Sequence, residues 1–261
     1  MLLKAKTAII YGASGAVGGA VARAFSREGS QVVLAARRHE LLDEVSKDIK
    51  SQGGLAEVMP VDATDARDVE RHLDAVTGRF GPVTLMFNAI SWDDTQGQIL
   101  SEMPFDRFFA PIQTSLTSWF HTGTSLAKHM ARHGGGTILG ITANAGREPL
   151  YGVGGFGVAC AAVEHYLRQL AVESGPDQVR VCWVRSPGSP DAPGVREAWQ
   201  LYGDRKGMTF DEVHREFAKD IPLRYVTPLA QVANAAVLLA SDLAAGMTAT
   251  MANATGGAQI D

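Results

Sequence analysis

The most informative part of the sequence is the stretch Thr7-Ala8-Ile9-Ile10-Tyr11-Gly12-Ala13-Ser14-Gly15-Ala16-Val17-Gly18-Gly19. Its first five residues are mostly apolar or β-branched and predict a buried strand, and a helical period begins at Ala16. The glycines between the two permit a tight turn and allow main-chain N–H groups to approach a phosphate at the positive end of the helix. A glycine loop alone is a weak signal, but this position between strand and helix predicts a dinucleotide site.

The rest of the chain repeats the alternation of short apolar runs with longer segments of helical period, which is typical of a parallel sheet covered on both faces. The predicted strands are 7–11, 31–35, 55–60, 84–88, 137–141, 179–184 and 248–252. The predicted helices begin near Ala16, His39, Ala66, Phe105, Gly155 and Pro228. We therefore expect a doubly wound α/β Rossmann fold with a seven-stranded parallel sheet, formed by residues 1–261 as a single domain.

Composition restricts the classes of partner. The chain has 46% hydrophobic and 20% charged residues and a formal net charge of -4, which is ordinary for a globular protein and argues against nucleic acid as a partner. No apolar run suggests a signal peptide or a membrane span, so we expect a cytoplasmic protein without a membrane partner. The two cysteines, Cys160 and Cys182, fit a reducing compartment and do not have the spacing of metal ligands. We expect no metal site.

The residues after the second strand indicate which dinucleotide binds. Sites that prefer NAD carry a carboxylate there, which holds the ribose hydroxyls. This chain has Ala36, Arg37 and Arg38 instead, with Ser14 in the glycine loop. Because two guanidiniums and a hydroxyl can pair with a 2′-phosphate and no acid repels it, the sequence predicts NADP(H) as the cofactor.

Further motifs extend this pattern along the whole chain. They are Val61-Asp62-Ala63-Thr64-Asp65, Phe87-Asn88-Ala89-Ile90, Ala161-Ala162-Val163-Glu164 and Ser186-Pro187-Gly188. With the glycine loop, they make the chain resemble the short-chain dehydrogenase/reductase family from end to end. The departures are Ala16 at the middle glycine of the loop, Phe87 at the first asparagine and Ile90 at the glycine of the family's Asn-Asn-Ala-Gly stretch, and Thr255 at an acid near the C-terminus.

The resemblance implies a set of cofactor-binding residues. In that family, Asp62 and the amide after it contact adenine, the Asn-Ala stretch lies below the cofactor, and the Pro-Gly turn lies beside the nicotinamide carboxamide. The implied residues are Gly12, Ser14, Gly15, Val17, Gly18, Arg37, Arg38, Asp62, Ala63, Asn88, Ala89, Pro187 and Gly188.

The same resemblance locates four catalytic positions, and none holds the usual residue. The family's asparagine, serine, tyrosine and lysine correspond to Ser115, Ala143, Phe156 and Cys160. Phenylalanine has no proton to give, and an unperturbed thiol is not a fixed positive charge. Because carbonyl reduction needs a positioned acid, ordinary ketone or alcohol dehydrogenase activity is not expected.

Other residues could replace the missing acid. Tyr151 is the foremost relocated candidate because it lies five residues before Phe156, and the other candidates are Trp92, Asp93, Asp94 and His121. Tyr202 and Lys206 satisfy the family's Tyr-x-x-x-Lys spacing, but outside its structural context. They lie in segment 189–222, which resembles the family's substrate lid.

Three functions remain open. The first is an NADP(H)-dependent oxidoreductase acting on a small molecule such as an activated alkene or an iminium, which demands less of a local acid. The second is a non-catalytic NADP(H)-binding sensor or regulatory protein, and the third is a lyase or isomerase using the same pocket. The long helices predicted at 105–132 and 155–173 are those that the family uses in its dimers, so the resemblance implies a homodimer or homotetramer.

Overall fold

The computed structural model describes residues 1–260 and contains one parallel sheet of seven strands in the order β3-β2-β1-β4-β5-β6-β7. The strands are β1 Thr7–Tyr11, β2 Gln31–Ala35, β3 Leu55–Val58, β4 Leu85–Asn88, β5 Gly136–Ala143, β6 Val179–Ser186 and β7 Thr250–Asn253. The predicted α/β Rossmann fold is confirmed. Four predicted strand ends differ from the observed ones by more than one residue, and the physical reasons lie in the residues next to each end.

Eight α-helices accompany the strands in the described residues. They are α1 Ala16–Arg27, α2 His39–Ser51, α3 Ala66–Phe80, α4 Phe105–Arg132, α5 Gly155–Ser174, α6 Pro193–Lys206, α7 Phe210–Ala218 and α8 Leu229–Ala240. Helices α1, α2 and α8 pack on one face of the sheet, and α3, α4 and α5 pack on the other. Alternate residues of β1 supply both cores, since Ile10 belongs to the first and Ile9 to the second.

Two strand boundaries illustrate why the predicted ends moved. Strand β3 ends at Val58 instead of residue 60, and Pro60 has no N–H to continue a ladder. Strand β7 begins at Thr250 instead of residue 248, because Ala249 adopts a left-handed φ of 55°.

Strands β5 and β6 extend further than predicted, to Ala143 and Ser186. These two residues are paired across the ladder, so each strand supports the last residues of the other.

Segment 189–222, predicted as a lid, contains α6 and α7. Their contact is aromatic: the Trp199 ring lies 4.9 Å from that of Phe217 and 6.0 Å from that of Phe210, measured between centroids. The hydroxyl of Thr209 caps α7 and receives the N–H of Glu212 at 3.3 Å, in a reciprocal capping box. The segment is therefore a packed helical pair, for which the role of lid stays a prediction.

The topology creates a crevice at one place on the sheet. The chain proceeds from β1 outward to β2 and β3, then returns to place β4 on the other side of β1. The loops after β1 and β4 consequently diverge at the carboxyl edge of the sheet, where open α/β sheets bind ligands.

Candidate functional site

The glycine loop has no room for side chains at two of its positions. Gly12 has a φ of 74°, and a Cβ atom there would lie 2.4 Å from the carbonyl oxygen of Ala89. A Cβ atom on Gly18 would lie 2.3 Å from the carbonyl oxygen of Gly12. Gly15 is the N-cap of α1 and offers no side-chain cap. The main-chain N–H groups at the start of α1 therefore receive no side-chain cap and can donate to another acceptor, such as a pyrophosphate.

A cleft lies at the switch point between β1 and β4, and most predicted cofactor residues line it. Those in the lining are Gly12, Ser14, Gly15, Arg37, Arg38, Asp62, Ala63 and Ala89. The remaining predicted residues, which do not line this cleft, are Val17, Gly18, Asn88, Pro187 and Gly188. Sequence reasoning missed Tyr11, Ala35, Ala36, Val61, Thr64, Ile90, Ser91 and Thr114 as lining residues.

Most of the missed lining residues are neighbours of predicted ones and could have been found by extending each motif. Thr114 could not, because it reaches the cleft only through the course of α4.

Asp62 is held as a carboxylate at the wall of the cleft. Its Oδ1 accepts the hydroxyl of Thr64 at 2.7 Å and the Thr64 N–H at 2.9 Å. These two hydrogen bonds lower the pKa of Asp62, and the nearby positive charge of Arg37 lowers it further. A carboxylate in this position can accept hydrogen bonds from an exocyclic amine.

The two arginines at the rim are accessible. Arg37 and Arg38 are both exposed, and they follow β2 directly after the half-buried Ala36. No acid precedes Glu40 on this segment. The rim therefore presents two guanidiniums that can pair with a phosphate.

Asn88 has a structural position at the end of β4. It is 1% exposed; its Nδ2 donates to Thr122 Oγ1 at 3.2 Å, and its Oδ1 accepts the N–H of Ile90 at 3.0 Å. Both bonds hold the turn after β4 against α4, so Asn88 shapes the floor of the site and does not line the cleft.

Cys160 lies buried beneath the end of β5. Burial raises the pKa of its thiol to about 12, while a hydrogen bond with the backbone of Ala143 opposes the shift. The negative charges of Glu164 and Asp94 raise the pKa further, and the charge of Arg185 lowers it. Cys160 is therefore a neutral thiol at physiological pH and is not activated as a nucleophile.

Phe156 is the second residue of α5 and packs against Trp92 from the loop after β4. Their ring centroids are 5.5 Å apart at an angle of 48°. The loop after β4 is also joined to the segment that precedes α5, because the N–H of Gly97 donates to the carbonyl oxygen of Gly152 at 2.7 Å. We call the region around Ala143, Phe156 and Cys160 the reactive end, and the loop of residues 91–98 covers one side of it.

Ser115 and Tyr151 are placed very differently. Ser115 is fully buried in α4, and its hydroxyl donates to the carbonyl oxygen of Ile112 at 3.0 Å. Tyr151 is 89% exposed. This conformation does not bring the Tyr151 hydroxyl into a buried site, so its proposed role as a relocated acid would require the loop to move.

The Tyr202 and Lys206 pair lies in α6. Lys206 Nζ donates to the Tyr202 hydroxyl at 2.5 Å and lies 3.6 Å from Glu216 of α7. These contacts connect the two helices of segment 189–222, which gives the pair a structural role there.

A buried ion pair behind the reactive end was not predicted from the sequence. Arg185 of β6 donates to Glu164 of α5 through Nε at 3.0 Å and through Nη2 at 2.6 Å. Thr142 donates its hydroxyl to the same carboxylate at 2.9 Å, and Arg185 Nη1 donates to Gln259 at 2.7 Å. This network joins α5 to the last residues of β5 and β6, and hence fixes the backbone that forms the reactive end.

Two further features are absent from residues 1–260. No group of three or more His, Cys, Asp or Glu side chains is arranged to hold a metal ion. Within the same range, every helix is too short or too polar to span a membrane.

Comparison with known proteins places these features in a wider context. A family model described as enoyl-(acyl carrier protein) reductase matches residues 12–259. The 7alpha-hydroxysteroid dehydrogenase of Escherichia coli (strain K12) is 26% identical over 255 residues, which cover 98% of this chain and 94% of that protein.

Solved structures show the same fold. Actinorhodin polyketide ketoreductase with NADPH has a TM-score of 0.87 and 23% identity, covering 97% of each chain. NAD+-bound xylitol dehydrogenase has a TM-score of 0.91 and 19% identity, covering 98% of this chain and all of that one.

Proposed function

Because the chain belongs to the short-chain dehydrogenase/reductase family of oxidoreductases, we propose that it is an NADP(H)-dependent member that works without the family's usual proton relay. The observation that carries the cofactor assignment is the rim of the cleft, where the exposed Arg37 and Arg38 stand in place of an acid. Two guanidiniums favour the 2′-phosphate of NADPH. NADH has no 2′-phosphate and cannot make this contact.

The residues of the cleft fit such a dinucleotide along its length. Gly12 and Gly15 bring the start of α1 to the pyrophosphate, and Asp62 offers a carboxylate to the adenine amine. Arg37 and Arg38 hold the 2′-phosphate. When bound, the dinucleotide supplies or accepts a hydride at its nicotinamide ring.

The reactive end defines which substrates are compatible. Phe156 cannot give a proton, and Cys160 keeps its proton because the pKa of the thiol is about 12. We therefore propose substrates that accept hydride at carbon without simultaneous protonation of oxygen by the protein, such as an alkene conjugated to a carbonyl group, or an iminium. Water then supplies the proton.

Two measurements test this function. Titration calorimetry should detect NADPH binding, with NADH bound at least about tenfold more weakly, as expected for the loss of a charge-assisted phosphate contact. NADPH oxidation should then occur with cyclohexenone or a cyclic iminium, and should be much slower with cyclohexanone. Binding of NADPH without turnover of any acceptor at high protein concentration would contradict the enzymatic proposal.

A non-catalytic NADP(H)-binding protein is the second candidate. It is favoured by the burial of Cys160 and Ser115 and by the ring contact of Phe156, which leave the reactive end without an evident proton donor. Calorimetric binding of NADPH together with inertness toward every acceptor is its expected signature. Failure of NADPH to bind would exclude both candidates.

A lyase or isomerase is the third candidate. Among the acids after β4, Asp94 lies near enough for its charge to act on Cys160, so it is the first acid or base to consider. Asp94→Asn should abolish cofactor-independent isomerisation of an unsaturated ketone, and an unchanged rate would exclude this use of Asp94.

A further inference from the structure

One acid gives the reactive end a negative charge. Asp94 lies in the loop after β4, is half-buried, and is close enough for its charge to act on the Cys160 thiol. Its Oδ2 accepts the amide N–H of Gln96 at 2.7 Å, and no cationic side chain of residues 1–260 forms an ion pair with it. The other acid whose charge reaches Cys160 is Glu164, which is paired with Arg185. Asp94 therefore contributes a negative charge without a counter-charge, where the family has a lysine ammonium.

Two aromatic residues accompany this acid at the reactive end. Trp92, from the same loop, contacts Phe156 of α5, with the ring centroids 5.5 Å apart at an angle of 48°. The rings are tilted and not stacked, and each residue is only half-buried, so each keeps part of its surface accessible to a ligand. The hydrogen bond from Gly97 to Gly152 holds the loop in this position. The face of an aromatic ring attracts cations.

The acid and the two rings follow directly on the cofactor cleft. Ile90 and Ser91 line the cleft, and the next residue of the same loop is Trp92. Phe156 and Cys160 stand at the positions of the family's tyrosine and lysine. A dinucleotide that lies along the cleft is therefore expected to direct its nicotinamide end toward this group of residues.

We propose that Asp94, Trp92 and Phe156 form a cation-binding wall at the reactive end, and that the substrates are iminium ions. This inference rests on the proposed function and selects the charged acceptor over the neutral alkene. A carboxylate attracts a positive charge at close range, and the aromatic faces add cation–π attraction. A carbonyl acceptor develops negative charge on its oxygen, which the charge of Asp94 disfavours.

Reduction of an iminium ion balances without a proton, which matches a reactive end that has no evident donor. A C–H bond forms between the hydride of NADPH and the iminium carbon, and the C=N π bond breaks. Its electron pair moves to nitrogen and cancels the positive charge there, so the products are a neutral amine and NADP+. Because the substrate loses its charge during the transfer, Asp94 is expected to strengthen substrate binding and not to accelerate the chemical step.

Steady-state kinetics with N-methyl-3,4-dihydroisoquinolinium, a permanent iminium cation, test the role of Asp94. Asp94→Asn should raise the KM for this cation by about tenfold, through the loss of one close charge partner, and keep kcat within about threefold. The KM for cyclohexenone should not rise. Asp93→Asn is the matched control, because Asp93 is exposed and its charge is not among those that act on Cys160. In this control the KM for the iminium should change by less than about twofold.

A cation that cannot accept a hydride tests the wall without turnover. Calorimetry of the NADPH-saturated protein with benzyltrimethylammonium should detect binding. Asp94→Asn and Phe156→Leu should each weaken this binding by at least about threefold, because one removes the charge and the other removes a ring face. Asp93→Asn should bind the probe as the wild type does.

The outcomes separate this inference from the proposed function. Wild-type protein that binds the probe but oxidises NADPH with neither acceptor contradicts the proposed function while supporting the wall. An active wild type that prefers cyclohexenone to the iminium, or in which Asp94→Asn leaves the KM for the iminium unchanged, overturns the inference and leaves the proposed function standing. Failure of benzyltrimethylammonium to bind likewise overturns the wall.

Discussion

At the scale of single residues, the arginines after β2 make the sharpest prediction about ligand choice. Arg37→Ala combined with Arg38→Ala should weaken NADPH binding by at least about tenfold, because each charge-assisted hydrogen bond contributes roughly 1.5–3 kcal/mol. NADH has no 2′-phosphate, so its Kd should change by less than about threefold. Calorimetry with both dinucleotides measures the difference. Arg67→Ala, which removes an exposed arginine outside the cleft lining, is the matched control. Equal losses for NADPH and NADH would contradict phosphate recognition.

A second prediction at this scale concerns the missing proton relay. Phe156→Tyr combined with Cys160→Lys should introduce reduction of cyclohexanone, raising the rate by about 100-fold or more, the usual contribution of a positioned acid. The surroundings of position 160 suit an ammonium group, because Glu164 and Asp94 disfavour a negative charge there.

The rate of NADPH oxidation with cyclohexanone measures this gain, and Phe156→Tyr alone is the control that lacks the lysine. A double variant that folds and binds NADPH but stays inert toward ketones would show that more than the relay is missing.

The cofactor residues that the sequence predicted correctly lie in short motifs directly after strands. Gly12, Arg37 and Asp62 each follow a strand closely, and parallel strands bring their carboxyl ends to one edge of the sheet. The contact between Trp92 and Phe156 joins residues 64 positions apart and depends on how two loops pack, for which the sequence has no periodic signal.

At the scale of elements, the ends of β5 and β6 depend on contacts that no strand pattern contains. The sequence predicted the two strands from their apolar runs but ended them too early. The buried pair of Glu164 and Arg185 lies behind the additional residues, and Thr142 of β5 donates to the same carboxylate. An arginine in a strand sequence normally indicates the end of the strand or a position on its exposed face, because arginine is rarely buried. The buried network therefore could not be predicted from the sequence.

Removing one charge of this pair should therefore be costly. We predict that Glu164→Gln lowers the free energy of unfolding by about 3 kcal/mol, because it removes the negative charge that accepts two hydrogen bonds from Arg185, which is 3% exposed. Arg168 also approaches Glu164, at 3.6 Å, but it is exposed, so Arg168→Ala should cost less than about 1 kcal/mol. Urea unfolding compares the two variants. Similar losses would mean that Arg185 is compensated by its other partners.

At the scale of the whole molecule, the two faces of the sheet are covered differently. On the face of α4 and α5, several large apolar side chains remain exposed: Phe105, Phe109, Phe120, Val158 and Val172. Exposed apolar groups gathered on neighbouring elements indicate an interface. The homodimer or homotetramer stays a prediction, and in such an assembly we expect these helices of two copies to meet about a two-fold axis.

The interface can be tested at the seam between these helices. Phe120 of α4 is 56% exposed, and its ring lies 6.5 Å from that of Tyr166 on α5. We predict that Phe120→Glu converts the wild-type oligomer to smaller species, because a symmetric interface would bury the introduced charge once from each copy. Leu55→Glu, at a 62% exposed position at the start of β3 on the far edge of the sheet, should leave the assembly intact. Sedimentation velocity measures the masses. A wild type that sediments as a monomer, or a Phe120→Glu protein with the mass of the wild type, would contradict an interface on α4 and α5.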